Sequence, residues 1–262
     1  MNTKRKAAGT LQKKTGSQEE IVMGLHCIDE LVHHYPKRLL QVFVQDSMKK
    51  NLRKKTLCRR LEQQKIPTKT LPKSDLEKLC GSSSHQGFVA LIKKRQFRNV
   101  VHFLEKRKEQ KRSLVLMLDQ IQDPHNVGAI FRSAECFGVD GIVFSSKHGP
   151  TITPSVSKVS SGASEHLNLM ETPNLESTMI RFQEEGYKIL AASLDQGSID
   201  GTQISYPEKM VLILGAEGEG VRSSIRKKAD STVYIPMKGH IHSLNVSTAA
   251  AVLLAFATRK IS

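Results

Sequence analysis

From Ser113 to the carboxyl end, short apolar runs alternate with longer amphipathic stretches, and this alternation restricts the fold more than any other feature of the chain. The runs Leu114–Leu118, Gly141–Ser145, Tyr187–Ala192, Met210–Leu214 and Thr232–Ile235 have the length and composition of strands. Helical patterning falls between them, near 126–137, 154–162, 174–185, 221–229 and 244–260. Apolar strands that alternate with helices must bury both faces, which predicts an α/β fold with a mostly parallel sheet. Ligands of such sheets bind beyond the carboxyl ends of the strands. The loops after Leu118, Leu214 and Ile235 are therefore the places to look for chemistry.

The front of the chain reads differently. Residues 1–112 hold 27 Lys and Arg against 10 Asp and Glu, a balance of +17, whereas residues 113–262 hold 13 against 15, a balance of −2. The whole excess of the +15 chain lies ahead of the alternating region. That asymmetry points to a polyanion-binding front, with nucleic acid as the natural partner because each neutralised phosphate releases counterions. A solvated basic surface that only aids solubility is the bland alternative. Residues 1–20 read as a basic, flexible tail. A small α/β domain spans 21–94, with a helix from Gly24 to Pro36, a strand at Leu39–Val44, a Lys/Arg-rich helix at 49–64, a helix from about Pro72 and a strand at Gly87–Lys93. Residues 95–112 read as a charged linker, helical in part, and 113–262 form the second domain.

Composition removes several classes. With 9 Pro and 17 Gly among 262 residues, the chain is neither collagen-like nor of low complexity. The apolar run Ala249–Ala257 falls short of the roughly 20 residues of a membrane span. Lys4, Arg5, Lys6, Lys13 and Lys14 have no apolar stretch behind them, so a cytoplasmic protein without a membrane partner is expected. Cys27, Cys58, Cys80 and Cys136 show no paired or zinc-finger spacing and read as reduced thiols. The absence of Trp argues against a broad base-stacking platform.

Three loops carry the candidate chemistry. The first, DQIQDPHNVGAIFR over 119–132, turns from a strand into a helix, with Asn126 at the expected cap and Arg132 nearly two turns on. Together these two could hold an RNA phosphate or ribose at a helix amino end, whereas either alone is an ordinary cap or surface cation. The second, LGAEGEG over 214–220, brings Gly215, Gly218 and Gly220 after a strand; it allows a sharp turn and close backbone approach, and Glu217 stands at its mouth. Its G-x-x-G-x-G spacing differs from the dinucleotide G-x-G-x-x-G, which weighs against a dehydrogenase. The third, IPMKGHIHSLNVS over 235–247, crowds Ser243, Asn245 and Ser247 at the start of an Ala-rich helix. His240 and His242 lack a fixed third ligand, so no metal is expected.

In order and spacing, these loops resemble the motifs of the SpoU/TrmH branch of the SPOUT methyltransferases: N-x-G-x-x-x-R, G-x-E-G-x-G and IPM-x-G-x-x-x-SLNVS. The front half, through GLHCIDEL at 24–31 and His85-Gln86-Gly87, resembles the L30e-like RNA-binding domain of that family's 23S rRNA members. The resemblance implies a carboxy-terminal SPOUT-type sheet with a trefoil knot, preceded by a small L30e-like domain. It further implies a homodimer that uses S-adenosylmethionine to methylate a ribose 2′-hydroxyl in RNA, a guanosine of 23S rRNA before a tRNA nucleotide. By position, Gly215, Ile235 and Leu244 would line the cofactor, and Asn126, Arg132, Glu217, Ser243 and Asn245 would form the reaction centre. Since a guanidinium is a poor base, Arg132 is expected to stabilise charge and position phosphate. His242 stands where relatives often carry a small or acidic residue. A catalytically silent RNA-binding assembly factor on the same fold is the alternative class, and it would lack one of these residues.

Overall fold

The computed structural model describes residues 18–46 and 52–259. The tail expected over residues 1–20 lies outside these except for its final residues, as does the start of the helix expected over 49–64. The chain divides into two compact units, one made of residues through Gln96 together with Ile152–Glu165, the other of Phe97–Thr151 and His166–Ser262.

In the first unit the elements are β1 (Glu19–Met23), α1 (Leu25–His34), β2 (Leu39–Gln45), α2 (Leu52–Gln63), β3 (Thr68–Leu71), α3 (Lys73–Cys80) and β4 (Phe88–Lys93). They build a four-stranded sheet in the order β1-β4-β2-β3, with β4 antiparallel to both neighbours and β2 parallel to β3. Leu25, Ile28, Leu31 and Val32 recur on one face of α1 and are buried against Val42, Phe88 and Ala90. Two strands, β1 and β3, carry no strong apolar alternation and escape the sequence reading. Residues 152–165 supply this unit with α6 (Pro154–Val159) and a turn, Ala163–Glu165. The Glu165 carboxylate, fully withdrawn from solvent, is paired with both Arg38 and Arg95. That pairing satisfies a charge whose burial alone would be costly.

The second unit contains α4 (Val100–Arg107), β5 (Ser113–Asp119), α5 (Pro124–Cys136), β6 (Gly141–Ser145), β7 (Leu169–Thr172), α7 (Leu175–Glu184), β8 (Lys188–Ala192), β9 (Ile199–Asp200), β10 (Lys209–Gly215), α8 (Ser223–Arg226), β11 (Ser231–Tyr234) and α9 (Val246–Arg259). Its sheet has seven strands in the order β7-β6-β5-β10-β8-β11-β9, with every pairing parallel as the alternating pattern predicts; five of the strands match the expected runs, and the edge strands β7 and β9 were not among them. All seven residues of β5 are buried, as are six of the seven in β10, so the central pair forms the floor of the core. Within the stretch read as linker, Val100, Phe103 and Leu104 fall on one face of α4 and join this core, with Phe103 against Phe182. Asn99 caps that helix by accepting the Val101 N–H at 2.8 Å. No described helix is long and apolar enough to cross a membrane.

Candidate active site

β5, β8, β10 and β11 all end on the same side of the second unit's sheet, and the loops leaving them carry the motif residues. After β5 the chain passes Ile121, buried at 2% exposure, and turns at Asp123. The helix cap is Asp123 and not Asn126 as the sequence suggested: its carboxylate accepts the N–H of His125 at 3.0 Å and of Asn126 at 2.9 Å. Pro124, which lacks an N–H, occupies the first helical position, so the cap falls one residue before it. Asn126 is thereby moved into the first turn, and its side-chain amide is free for another partner.

That partner comes from the glycine turn after β10. Ala216 and Gly220 form an isolated bridge, with the Gly220 N–H donated to the Ala216 carbonyl at 2.9 Å. A Cβ on Gly215 would meet the Gly220 carbonyl carbon at 2.0 Å, and Gly218 has φ of 82°, so the turn cannot close with larger residues at these places. Closure presents Glu217, whose Oε1 accepts the Asn126 amide at 2.9 Å. Asn245, just ahead of α9, completes the group. Its amide donates to Asn126 Oδ1 at 2.9 Å and also to Glu217, while its Oδ1 accepts the Ser247 N–H at 2.9 Å and hydroxyl at 2.6 Å. One oxygen of Asn245 thus serves as the cap for α9, and its nitrogen remains directed at the carboxylate.

Beside this triad lies a cavity of about 530 Å³, within the range of small-molecule sites. Its walls come from the ends of β8, β10 and β11 and from the loop before α9. Gly215, Ile235 and Leu244, the three residues expected at a cofactor, all line it, as do Glu217, Ser243 and Asn245. Asn126 stands outside the lining but is tied to it through Glu217. Arg132 is exposed on α5, is not part of the wall, and makes no ion pair among the described residues. His240, Ile241 and His242 are exposed in the same loop as Ser243.

Sequence reasoning missed several charged residues around the cavity. Arg226 and Asp195 both line it, paired at 2.8 Å, and Arg226 also donates to the Val221 carbonyl at 3.3 Å. Asp119 and Arg222 form a second pair, outside the lining. Only the position of Asp119 at the end of a wholly apolar run could have marked it.

A fully parallel sheet whose strand ends carry a glycine turn, an amide–carboxylate triad and a cavity of small-molecule size defines a ligand-binding α/β unit, in a chain that also carries a smaller, separate α/β unit. Comparison with known proteins specifies the class. The SpoU rRNA methylase family matches residues 113–255, and the RNA 2′-O ribose methyltransferase substrate-binding family matches residues 21–98. A protein of Staphylococcus haemolyticus described as a TrmH family tRNA/rRNA methyltransferase is 30% identical over 93% of this chain and 96% of its own. Among solved structures, the SpoU methyltransferase AviRb from Streptomyces viridochromogenes, in complex with the cofactor AdoMet, superposes with a TM-score of 0.76 at 22% identity, covering 99% of both chains. An AdoMet-bound rRNA methyltransferase from Sinorhizobium meliloti gives 0.74 at 18% identity, over 98% of this chain and 93% of that one. The chain belongs to the SpoU family of RNA 2′-O-ribose methyltransferases.

Proposed function

We propose that this protein transfers a methyl group from S-adenosylmethionine to the 2′-hydroxyl of a ribose in 23S rRNA, with guanosine as the target nucleoside. Gly215, Ile235 and Leu244, which line the cavity, would hold S-adenosylmethionine there. The single observation that carries the reading is the triad of Asn126, Glu217 and Asn245 at the rim of that cavity, in which one carboxylate oxygen accepts both amides.

The donor would supply an activated methyl, its S–CH3 bond breaking as the O–CH3 bond forms with S-adenosylhomocysteine as the other product, so the chain's own work is to align the ribose oxygen and to stabilise the charge that develops as the hydroxyl proton passes to solvent water. Alignment of this kind accounts for a large share of the barrier in two-substrate reactions. Asn126 and Asn245 hold the Glu217 carboxylate in one orientation, leaving its second oxygen to accept a ribose hydroxyl. Ser243, on the same wall, offers a further hydroxyl to the sugar. Arg132 supplies the cation: exposed on α5, the helix whose first turn carries Asn126, it binds the RNA phosphate beside the target and stabilises a forming alkoxide. The chain works as a homodimer in the cytoplasm, and its catalytic unit ties the trefoil knot of the SPOUT fold. The +17 balance of residues 1–112 supports an extended RNA partner over a compact one.

The test is mass-spectrometric mapping of 2′-O-methylated nucleotides in rRNA from cells with and without the protein. One methyl is lost from 23S rRNA and returns with the wild type but not with Glu217→Ala. An unchanged rRNA map with a methyl missing from tRNA would reassign the substrate.

A further inference from the structure

Asp119 ends β5 with a side chain wholly withdrawn from solvent, yet it is charged and lies between Leu118 and Ile121, both buried. Both of its oxygens are taken by a single residue: Oδ2 accepts the main-chain N–H of Arg222 at 2.9 Å, and Oδ1 accepts the Nε–H of its guanidinium at 2.8 Å. The two partners are set at the bases of different loops. Asp119 begins the segment that leads to Asn126, and Arg222 closes the glycine turn that presents Glu217. In the β5–β10 ladder Asp119 also lies directly opposite Gly215, where that turn starts. The two loops are therefore joined twice, by Asp119 and Arg222 at the base and by Asn126 and Glu217 at the tip.

Only the carboxylate of this pair is buried, since the Arg222 side chain is 39% exposed, and an ion pair with a buried member is weak evidence for stability because desolvation offsets the attraction. What such a pair supplies is direction. A carboxylate that accepts a main-chain N–H and the Nε–H of the same arginine fixes one end of the turn in both position and rotation, which an apolar contact would not.

We propose that Asp119 and Arg222 are positioning residues for methyl transfer: their pairing fixes the glycine turn so that Glu217 meets Asn126 and Asn245. Neither residue lines the cavity, and the Ala216–Gly220 bridge still closes the cofactor-facing part of the turn when the pair is lost, so the effect falls more on the rate of transfer than on cofactor affinity. The role rests on reading Asn126, Glu217 and Asn245 as the reaction centre.

The test uses the full-length protein, methyl-labelled S-adenosylmethionine and total RNA from cells lacking the protein, under single-turnover conditions. S-Adenosylhomocysteine affinity and thermal melting are measured in parallel. Arg222→Met keeps the main-chain N–H and the aliphatic stem but removes Nε. Its transfer rate should fall at least about tenfold while the dissociation constant stays within about threefold. Asp119→Asn combined with Arg222→Met removes the unpaired buried charge; melting should recover while the rate stays low. A rate in Arg222→Met close to wild type, an equal loss of cofactor affinity, or a rate that recovers with melting in the double variant would each overturn the role. Glu217→Gln separates the two claims. A wild-type rate there overturns the reaction-centre reading, whereas a slow Glu217→Gln beside a fast Arg222→Met overturns the pair's role alone.

Discussion

Two of the loops that border the cavity, the one after β10 and the one after β11, are held in opposite ways. The turn from Gly215 to Arg222 is fixed by the protein itself: Ala216 bridges Gly220, Val221 is buried, its carbonyl accepts Arg226, and Arg222 is held by Asp119. The loop from Pro236 to Leu244 carries no hydrogen bond among the described residues, and Ile241 is 78% exposed. Only its last neighbour, Asn245, is tied down. One loop is shaped before any ligand arrives and can impose geometry on a reaction; the other keeps its side chains for whatever it meets. The difference explains why the carboxylate sits on the first loop and the exposed histidines on the second.

A methyl group added to a glycine in each loop is the sharpest way to break this comparison. At Gly215 the new Cβ would collide with the backbone of Gly220, so Gly215→Ala should displace the turn and weaken cofactor binding by ~100-fold, as read by calorimetric titration. Next in size is Arg132→Lys, which tests the cation outside both loops. Lysine keeps the charge but not the fork, and kcat should fall by about tenfold with cofactor affinity unchanged; a full kcat would remove Arg132 from the reaction. Gly239→Ala should do almost nothing: no atom lies within 4 Å of its added Cβ, and cofactor affinity should stay within about twofold. A loss comparable to that of Gly215→Ala would mean the second loop is as constrained as the first.

The smallest effect lies away from both loops. Burial holds the His85 ring below the usual histidine range, with Lys73 and Lys158 adding to the effect and Glu77 opposing it. Its Nδ1 accepts the Gly87 N–H at 3.0 Å, so a neutral ring is the form the fold requires. Because the folded-state pKa is depressed, the stabilisation is complete above the unfolded value of about 6.5 and diminishes as pH falls through it. Nuclear magnetic resonance should find His85 titrating below the ordinary histidine range, and melting should decline as the pH falls below about 6.5. A ring that titrates at or above about 6.5 would contradict this account.

The parallel sheet was legible because its central strands are continuous apolar runs: every residue of Leu114–Leu118 is buried on both faces, and no other element type of that length explains such a run. β9 spans only Ile199 and Asp200, too short for any periodicity, and β1 and β3 are edge strands whose polar residues are half-buried in β1 and exposed in β3. At the site, the three loops were visible as clusters of Gly, Asn, Ser and Glu. Their contacts were not, since the cap depended on where Pro124 falls and the triad on residues 91 and 119 positions apart. The Asp119–Arg222 pair spans 103 positions and has no local signature.

The central claim is that this chain places a methyl on a ribose oxygen. The most direct measurement incubates the purified protein with methyl-labelled S-adenosylmethionine and RNA from cells lacking it, then digests the RNA to nucleosides and separates them. All the transferred label should migrate as a 2′-O-methylnucleoside, and Glu217→Ala should reduce it by ~100-fold. Label on a base, or transfer that survives Glu217→Ala unchanged, would contradict the account.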